Sequence, residues 1–201
     1  MTKKLYLYAI FERFWHWAQA LFIFTLAFTG FEIHGCYSIL GFENATIIHE
    51  YTSYSLLVLI AFAIFWHFTT GEWRQYIPKF EYLVPQIKYY IGGIFRGEPH
   101  PMKKDRDNKL NPLQALTYIS LKIFILPLMV FTGIAYLAFS WGLGDVWRFD
   151  IGWLHTFGAF ITIAFIIVHV YMTTTAGHTP LAGIMSMIFG YEEIPDDEEN
   201  H

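Results

Sequence analysis

"WLHTFGAFITIAFIIVHVYM", Trp153 to Met172, decides how the rest of the chain is read. Apart from two histidines, two threonines and a tyrosine hydroxyl, its side chains belong to a hydrocarbon interior. The stretch has 20 residues, the length at which an α-helix crosses a hydrocarbon core of about 30 Å. An imidazole facing hydrocarbon is costly, so an ionisable side chain in such a segment is a functional-site hypothesis whose partner must be named. His155 and His169 pose that question.

Three further stretches read the same way. The 201 residues are 55% hydrophobic, 20% aromatic and only 15% charged, on the membrane side of ordinary globular composition. Spans are expected near Phe14–Ile33, Ile48–Thr70, Leu113–Ser140 and Ile151–Thr175. The pattern predicts an all-α membrane protein, a four-transmembrane-helix bundle forming one domain over residues 1–201. A lone Cys36 excludes an internal disulfide and a cysteine-held cluster, and no c-type haem attachment motif occurs. The first residues, "MTKKLYLYAIFERFWHW", lack a small-residue cleavage site and run into the first span, so no removable signal peptide is expected. No internal repeat or low-complexity tract is legible, and no nucleic-acid partner is expected.

Charge orients the spans. Lys3, Lys4 and Arg13 precede or open the first, and Arg74, Lys79, Lys88, Arg96, Lys103, Lys104, Arg106 and Lys109 lie between the second and third. The Gly35–Ile47 connection has no Lys or Arg, and Gly142–Asp150 has only Arg148. The excess of positive charge on one side places both termini and the 71–112 loop in the cytoplasm of a bacterial inner membrane. The net charge of −4 comes from the tail over 191–201, "YEEIPDDEEN" onward, read as a solvated end. In the loop, "YIPKFEYLVPQIKYYIGGIFRG" mixes apolar, aromatic and basic residues as a helix lying on lipid does. The outer loops are too short for a domain, so chemistry outside belongs to another polypeptide or a small molecule.

The histidines sort by depth. His100, His178 and His201 fall in loops or the tail, and His34 sits at the outer end of the first span, where a polar ring is cheap. His16, His49, His67, His155 and His169 remain. Fourteen residues separate His155 from His169, nearly four turns, which puts both on one face about 21 Å apart. The chain alternates direction, so His49 is level with His155 at the outer side and His16 with His169 at the inner side. Two imidazoles brought together at each of two depths suit two bis-histidine haems, since facing helices are where bundles build cofactor sites. A single histidine on an apolar face is more often a hydrogen-bonded core residue; four that pair by depth point to ligation. Gly30, Gly133, Gly152 and Gly158 either admit a flat macrocycle or serve plain helix packing. His67 lies eighteen residues after His49 on the same face, so geometry alone allows it to replace His16.

These residues resemble a known family, the integral-membrane cytochrome b subunits of nickel-iron hydrogenases, formate dehydrogenases and thiosulfate reductases. The resemblance covers nearly the whole chain. It rests on "RFWHW" and "FTGFEI" in the first span, "IIHEYTSY" opening the second, "WHFTTGEWRQYIP" leaving it, "NPLQALTY" and "FTGIAY" in the third, and "LHTFGAF…IIVHVYM" in the fourth. It implies that His16, His49, His155 and His169 are the axial ligands of two haem b groups, and that His67 is not a ligand. It also implies a quinone site, for menaquinone or ubiquinone, on the cytoplasmic side with Asn111 and Gln114 near it. The other reading of Asn111 is a helix N-cap before Pro112.

The implied function is an electron conduit between the membrane quinone pool and an extracytoplasmic redox subunit of hydrogenase or dehydrogenase type, an iron-sulfur protein or a multihaem cytochrome c. Nothing in the sequence fixes direction, so quinol oxidation supplying a periplasmic reductase keeps the same fold. A histidine-relay transporter from another class predicts a colourless protein and acidic residues at the midplane, whereas Glu12, Glu32, Glu50 and Asp150 all sit near span ends. A purely structural anchor leaves the paired histidines unexplained.

Overall fold

The computed structural model describes residues 2–98, 101, 102, 109–140, 142, 148–175, 179 and 181–195. His100, His178 and His201, with Lys103, Lys104 and Arg106, lie outside the described residues. The chain divides into two compact units, Ala9–Glu72 on the one hand and Met1–Tyr8 with Trp73–His201 on the other.

The first unit is a helical hairpin of α1 (Ile10–Ile33) and α2 (Phe42–Thr70). Glu12 starts α1 by accepting the Ala9 N–H at 2.7 Å, since alanine has no side-chain cap to offer. The connection is organised from within: buried Glu32 accepts the N–H groups of Ile39, Leu40 and Gly41 on Oε1 at 2.7, 2.6 and 2.8 Å. Gly41, at φ +84°, then opens α2. Rings at the start of α1 meet rings at the end of α2, with Phe11 and Trp66 centroids 5.4 Å apart. The two helices are therefore antiparallel.

The second unit holds the other long helices. A helix runs from α4 (Pro112–Ser120) through a π-turn, Leu121–Ile125, into α5 (Leu126–Ser140). Pro127 has no N–H for the Ile123 carbonyl, and the wider turn just before it lets the helix continue instead of breaking. α6 (Arg148–Thr175) packs antiparallel against this helix. Cβ atoms added at Gly152 and Gly158 would lie 2.6 Å from Tyr136 Oη and 2.6 Å from Met129 Sδ. These two glycines serve helix packing. The connection before α4 carries the short α3 (Leu83–Lys88), and α7 (Ala182–Phe189) follows α6.

Two expectations are met in part. Three helices among the described residues are long and apolar enough to cross a membrane, Phe42–Thr70, Pro112–Phe139 and Asp150–Thr175. The expected first span is a helix of 24 residues, but Glu12, Arg13, His16, Gln19 and Glu32 dilute its apolar run. Nor is the acidic tail wholly irregular. Its first part, β2 (Tyr191–Pro195), pairs antiparallel with β1 (Thr2–Tyr6), Tyr191 opposite Tyr6 and Glu193 opposite Lys4. Backbone pairing and the Tyr6–Tyr191 ring contact at 5.0 Å hold the ribbon. The exposed Lys4–Glu193 pair at 3.8 Å adds little.

Large apolar side chains point outward in both units. Phe14 is 62% exposed, Leu21 64%, Phe131 72% and Phe160 58%, the reverse of a surface made for water.

Candidate functional site

Each unit carries histidines whose rings are held at Nδ1. In the hairpin, His49 Nδ1 lies 2.9 Å from the Thr29 hydroxyl of α1. Beside it is Gly30, where an added Cβ would stand 3.4 Å from His49 Cε1. At the far end of α2, buried His67 donates from Nδ1 to the Ala63 carbonyl of its own helix at 2.6 Å. The edges of Trp15 and Trp66 lie against it at 5.2 and 5.3 Å. His16 is half-buried, with the Trp17 ring 5.1 Å away. His34 is exposed at the end of α1, as its position at a span end predicts.

In the second unit, His155 Nδ1 lies 2.8 Å from the Thr132 hydroxyl and His169 Nδ1 3.0 Å from the Tyr118 hydroxyl. Both partners sit on the helix facing α6, fourteen residues apart like the histidines themselves. The one-face, two-depth placement of His155 and His169 is what the spacing predicts. Phe165 stacks on His169 with 5.8 Å between centroids and 9° between planes. A Cβ on Gly133 would stand 3.6 Å from His155 Cε1. Of the four glycines singled out, Gly30 and Gly133 thus border histidine rings.

Asn111 and Gln114 come together as a reciprocal capping box. The Asn111 side chain accepts the Gln114 N–H at 2.8 Å, and Gln114 Oε1 accepts the Asn111 N–H at 3.1 Å. Asn111 Nδ2 also donates to the Tyr90 hydroxyl at 3.0 Å. Both residues are buried. Burial pushes the Tyr90 phenol up to about 12, a rise that the Asn111 bond partly offsets. A cavity of about 60 Å³ adjoins this helix start, lined among others by Arg74, Lys79, Leu110 and Pro112. It has room for a few waters.

Sequence reasoning missed Thr29, Thr132 and Tyr118, the groups that orient the imidazoles. It also passed over Lys122, a charge inside the third apolar run whose ammonium lies 3.6 Å above the Tyr76 ring. A signal existed for each. "FTG" occurs at 28–30 and again at 131–133, and a lone lysine in an apolar helix is conspicuous.

The family model described as prokaryotic cytochrome b561 matches residues 7–190. The chain is 31% identical over 199 residues to the putative cytochrome YdhU of Escherichia coli (strain K12), covering 94% of this chain and 75% of that protein. It is 24% identical over 239 residues to a probable Ni/Fe-hydrogenase B-type cytochrome subunit of Rhizobium leguminosarum bv. viciae, covering 98% and 92%. A probable Ni/Fe-hydrogenase B-type cytochrome subunit of Rhodobacter capsulatus is 27% identical over 225 residues, covering 96% and 83%. No solved structure matches. The chain belongs to the prokaryotic cytochrome b561 family. It is an integral-membrane cytochrome of the b type, and its work is electron transfer.

The donors present fit haem b. His49, His155 and His169 each have Nδ1 in contact with a side-chain oxygen of a neighbouring helix. That is the outer hydrogen bond by which proteins orient an imidazole whose other nitrogen takes a metal.

Proposed function

We propose that the chain is a diheme membrane subunit that carries electrons between an extracytoplasmic redox partner and the quinone pool. His155 and His169 carry this reading: one helix presents two imidazoles fourteen residues apart, each held at Nδ1 by a hydroxyl of the facing helix. Two cofactors at two depths are what such a row serves. His49 with His155, and His16 with His169, are the pairs that would hold the two haems. Haem b supplies one-electron chemistry when bound. The chain's own residues orient the imidazoles, keep water from them with rings such as Phe165, and fix the height of each site along α6.

We place four crossings in a bacterial inner membrane, with α1 as the first and both termini in the cytoplasm. The pairing of β1 with β2 supports an even number, because it brings the two ends of the helical region side by side. The basic 71–112 loop supports the orientation. The partner is proposed to be a hydrogenase- or dehydrogenase-type subunit, an iron-sulfur protein or multihaem cytochrome c, by analogy with the hydrogenase cytochrome subunits to which the chain is similar. The quinone site is proposed on the cytoplasmic side at the start of α4. There Asn111 holds the helix end and Tyr90, and the Gln114 Nε2 amide is the donor offered to a quinone oxygen.

Reduced-minus-oxidised spectra with a pyridine haemochrome assay test the reading. Two haems b per chain are expected, with His155→Ala and His169→Ala each removing one. A colourless, correctly inserted protein refutes it.

A further inference from the structure

We propose that the cavity at the start of α4 is a binding site for the phosphate of an anionic phospholipid, held by Arg74 and Lys79. The proposal needs only that the chain is a membrane protein and is independent of the number of haems.

Position comes first. The cavity is lined by Arg74, Gln75 and Lys79 on one side and by Leu110, Pro112 and Ala115 at the start of α4 on the other. All six belong to one compact unit. Pro112 is also the first residue of the apolar run Pro112–Phe139, so the cavity lies at the height where hydrocarbon gives way to lipid headgroups. Trp73, Ile77 and Phe80, neighbours of the two cations in the chain, are exposed, as aromatic and apolar side chains at that boundary are. Two contacts fix this segment against the α4 helix and its continuation. Gln75 Oε1 accepts the Lys109 N–H at 3.2 Å, and the Lys122 ammonium lies 3.6 Å above the Tyr76 ring.

Size and charge then define the ligand. The volume of about 60 Å³ is that of a few waters, and a phosphate with its oxygens matches such a space. The helix start itself has little to give an anion. Pro112 has no N–H, and the N–H groups of Gln114 and Ala115 are taken by Asn111. Recognition therefore falls on side chains: Arg74 brings a planar fork matched to phosphate oxygens, and Lys79 a point charge. Among the described residues neither has a carboxylate partner, whereas Arg96 on the same loop lies 3.9 Å from Glu98. Two cations without a carboxylate repel the ammonium of a zwitterionic headgroup and select a lipid of net negative charge.

The test uses the purified full chain with its haem, stripped of lipid in a neutral detergent. Phosphatidylglycerol or phosphatidylcholine is titrated in, and bound lipid is counted by native mass spectrometry, with inorganic phosphate as competitor. Phosphatidylglycerol should bind more tightly than phosphatidylcholine, and inorganic phosphate at the same concentration should not displace it. Arg74→Gln and Lys79→Gln should each weaken phosphatidylglycerol binding about fivefold, the worth of one basic side chain at a lipid surface, and the double variant roughly 25-fold. Lys88→Gln removes a charge from the same loop outside the cavity and should leave binding as it is. Haem content and helical circular dichroism establish that each variant is folded. A measurement on the wild type decides where a variant is not: phosphatidylglycerol should protect Lys79, but not Lys88, from an amine-acylating reagent.

Equal affinity for the two lipids overturns the proposal. So does a folded double variant that binds phosphatidylglycerol like the wild type, an equal loss in Lys88→Gln, or equal protection of both lysines. Displacement by inorganic phosphate at the same concentration overturns the lipid as the source and makes the ligand a free anion.

Discussion

Asn111→Ala separates what the start of α4 does for the fold from what it offers a quinone. The substitution removes the acceptor for the Gln114 N–H at 2.8 Å and the donor to the Tyr90 hydroxyl at 3.0 Å. Loss of an N-cap costs about 0.5–2 kcal/mol, and loss of a neutral hydrogen bond at a buried phenol a further 0.5–1.5 or so. The sum, about 1–3.5 kcal/mol, corresponds to a fall in melting temperature of roughly 2–14 °C for a chain of this length. Gln114→Glu is the contrasting variant. Its carboxylate still accepts the Asn111 N–H and favours a helix N-terminus, but the Nε2 donor is gone. It should melt like the wild type and bind a quinone analogue up to about tenfold more weakly.

Thermal melts followed by helical circular dichroism, with haem content measured on the same samples, report the first effect, and titration with a soluble quinone analogue reports the second. Iron ligation should survive in both variants. An Asn111→Ala protein with an unchanged melting temperature would refute the assignment of Asn111 to the helix cap. A Gln114→Glu protein with unchanged analogue affinity would move the quinone site away from α4.

Other perturbations have definite outcomes. His16→Ala should lower the haem count from two to one while His67→Ala keeps both; the reverse pattern in a pyridine haemochrome assay would give the ligand role to His67. Glu32→Ala strips the acceptor from three backbone N–H groups at once and should destabilise the hairpin by about 2–4 kcal/mol, seen as fast amide exchange at Ile39, Leu40 and Gly41. Gly158→Val drives a Cβ toward Met129 Sδ and Leu128, at 2.6 and 3.2 Å, and should cost about 1–3 kcal/mol in a thermal melt. Gly30→Ala, with 3.4 Å to the nearest atom, should be far milder in the same melt. The Tyr90 phenol, raised to about 12, favours the folded state while protonated. That contribution is complete below about pH 10, and is lost as pH rises from there through 12. A Tyr90→Phe protein should therefore show a flatter alkaline limb in a stability profile.

Much of this was legible in the sequence because periodicity and depth are properties of one chain direction. The spacing of His155 and His169 fixes their shared face before any packing is known, and "NPLQ" announces both a cap and a helix start. The first helix was harder to judge by composition. His16 and Gln19 lower its apolar content, and only His16, as a proposed haem ligand, suggests a reason for it. The ribbon between Thr2–Tyr6 and Tyr191–Pro195 was hidden because its two strands lie at opposite ends of the chain. A charged stretch reads as solvated when nothing local shows what it pairs with. The threonines were hidden for a different reason: a hydroxyl in an apolar helix ordinarily folds back onto its own i−4 carbonyl, as Thr25, Thr162 and Thr174 do. Only the neighbouring helix shows that Thr29 and Thr132 do this and also meet a histidine Nδ1.

His67 shows why a bond at Nδ1 is not by itself the mark of a ligand. Its Nδ1 gives a hydrogen to Ala63 O at 2.6 Å, four residues back, so its ring is oriented by the helix that carries it. That bond forms wherever the helix forms, independently of any cofactor. Trp15 and Trp66 close around the ring edge to edge, and the side chain ends buried and satisfied like an ordinary core residue. His49, His155 and His169 depend instead on a hydroxyl from another helix. Their orientation exists only once two helices have packed in register, and a shift of one turn, about 5.4 Å, would break every such bond. If these three are the haem ligands proposed above, helix packing and the geometry offered to the metal are set by the same contacts. On that proposal cofactor binding and helix association stabilise each other, and the histidines whose orientation is set between helices are the ones placed to couple them.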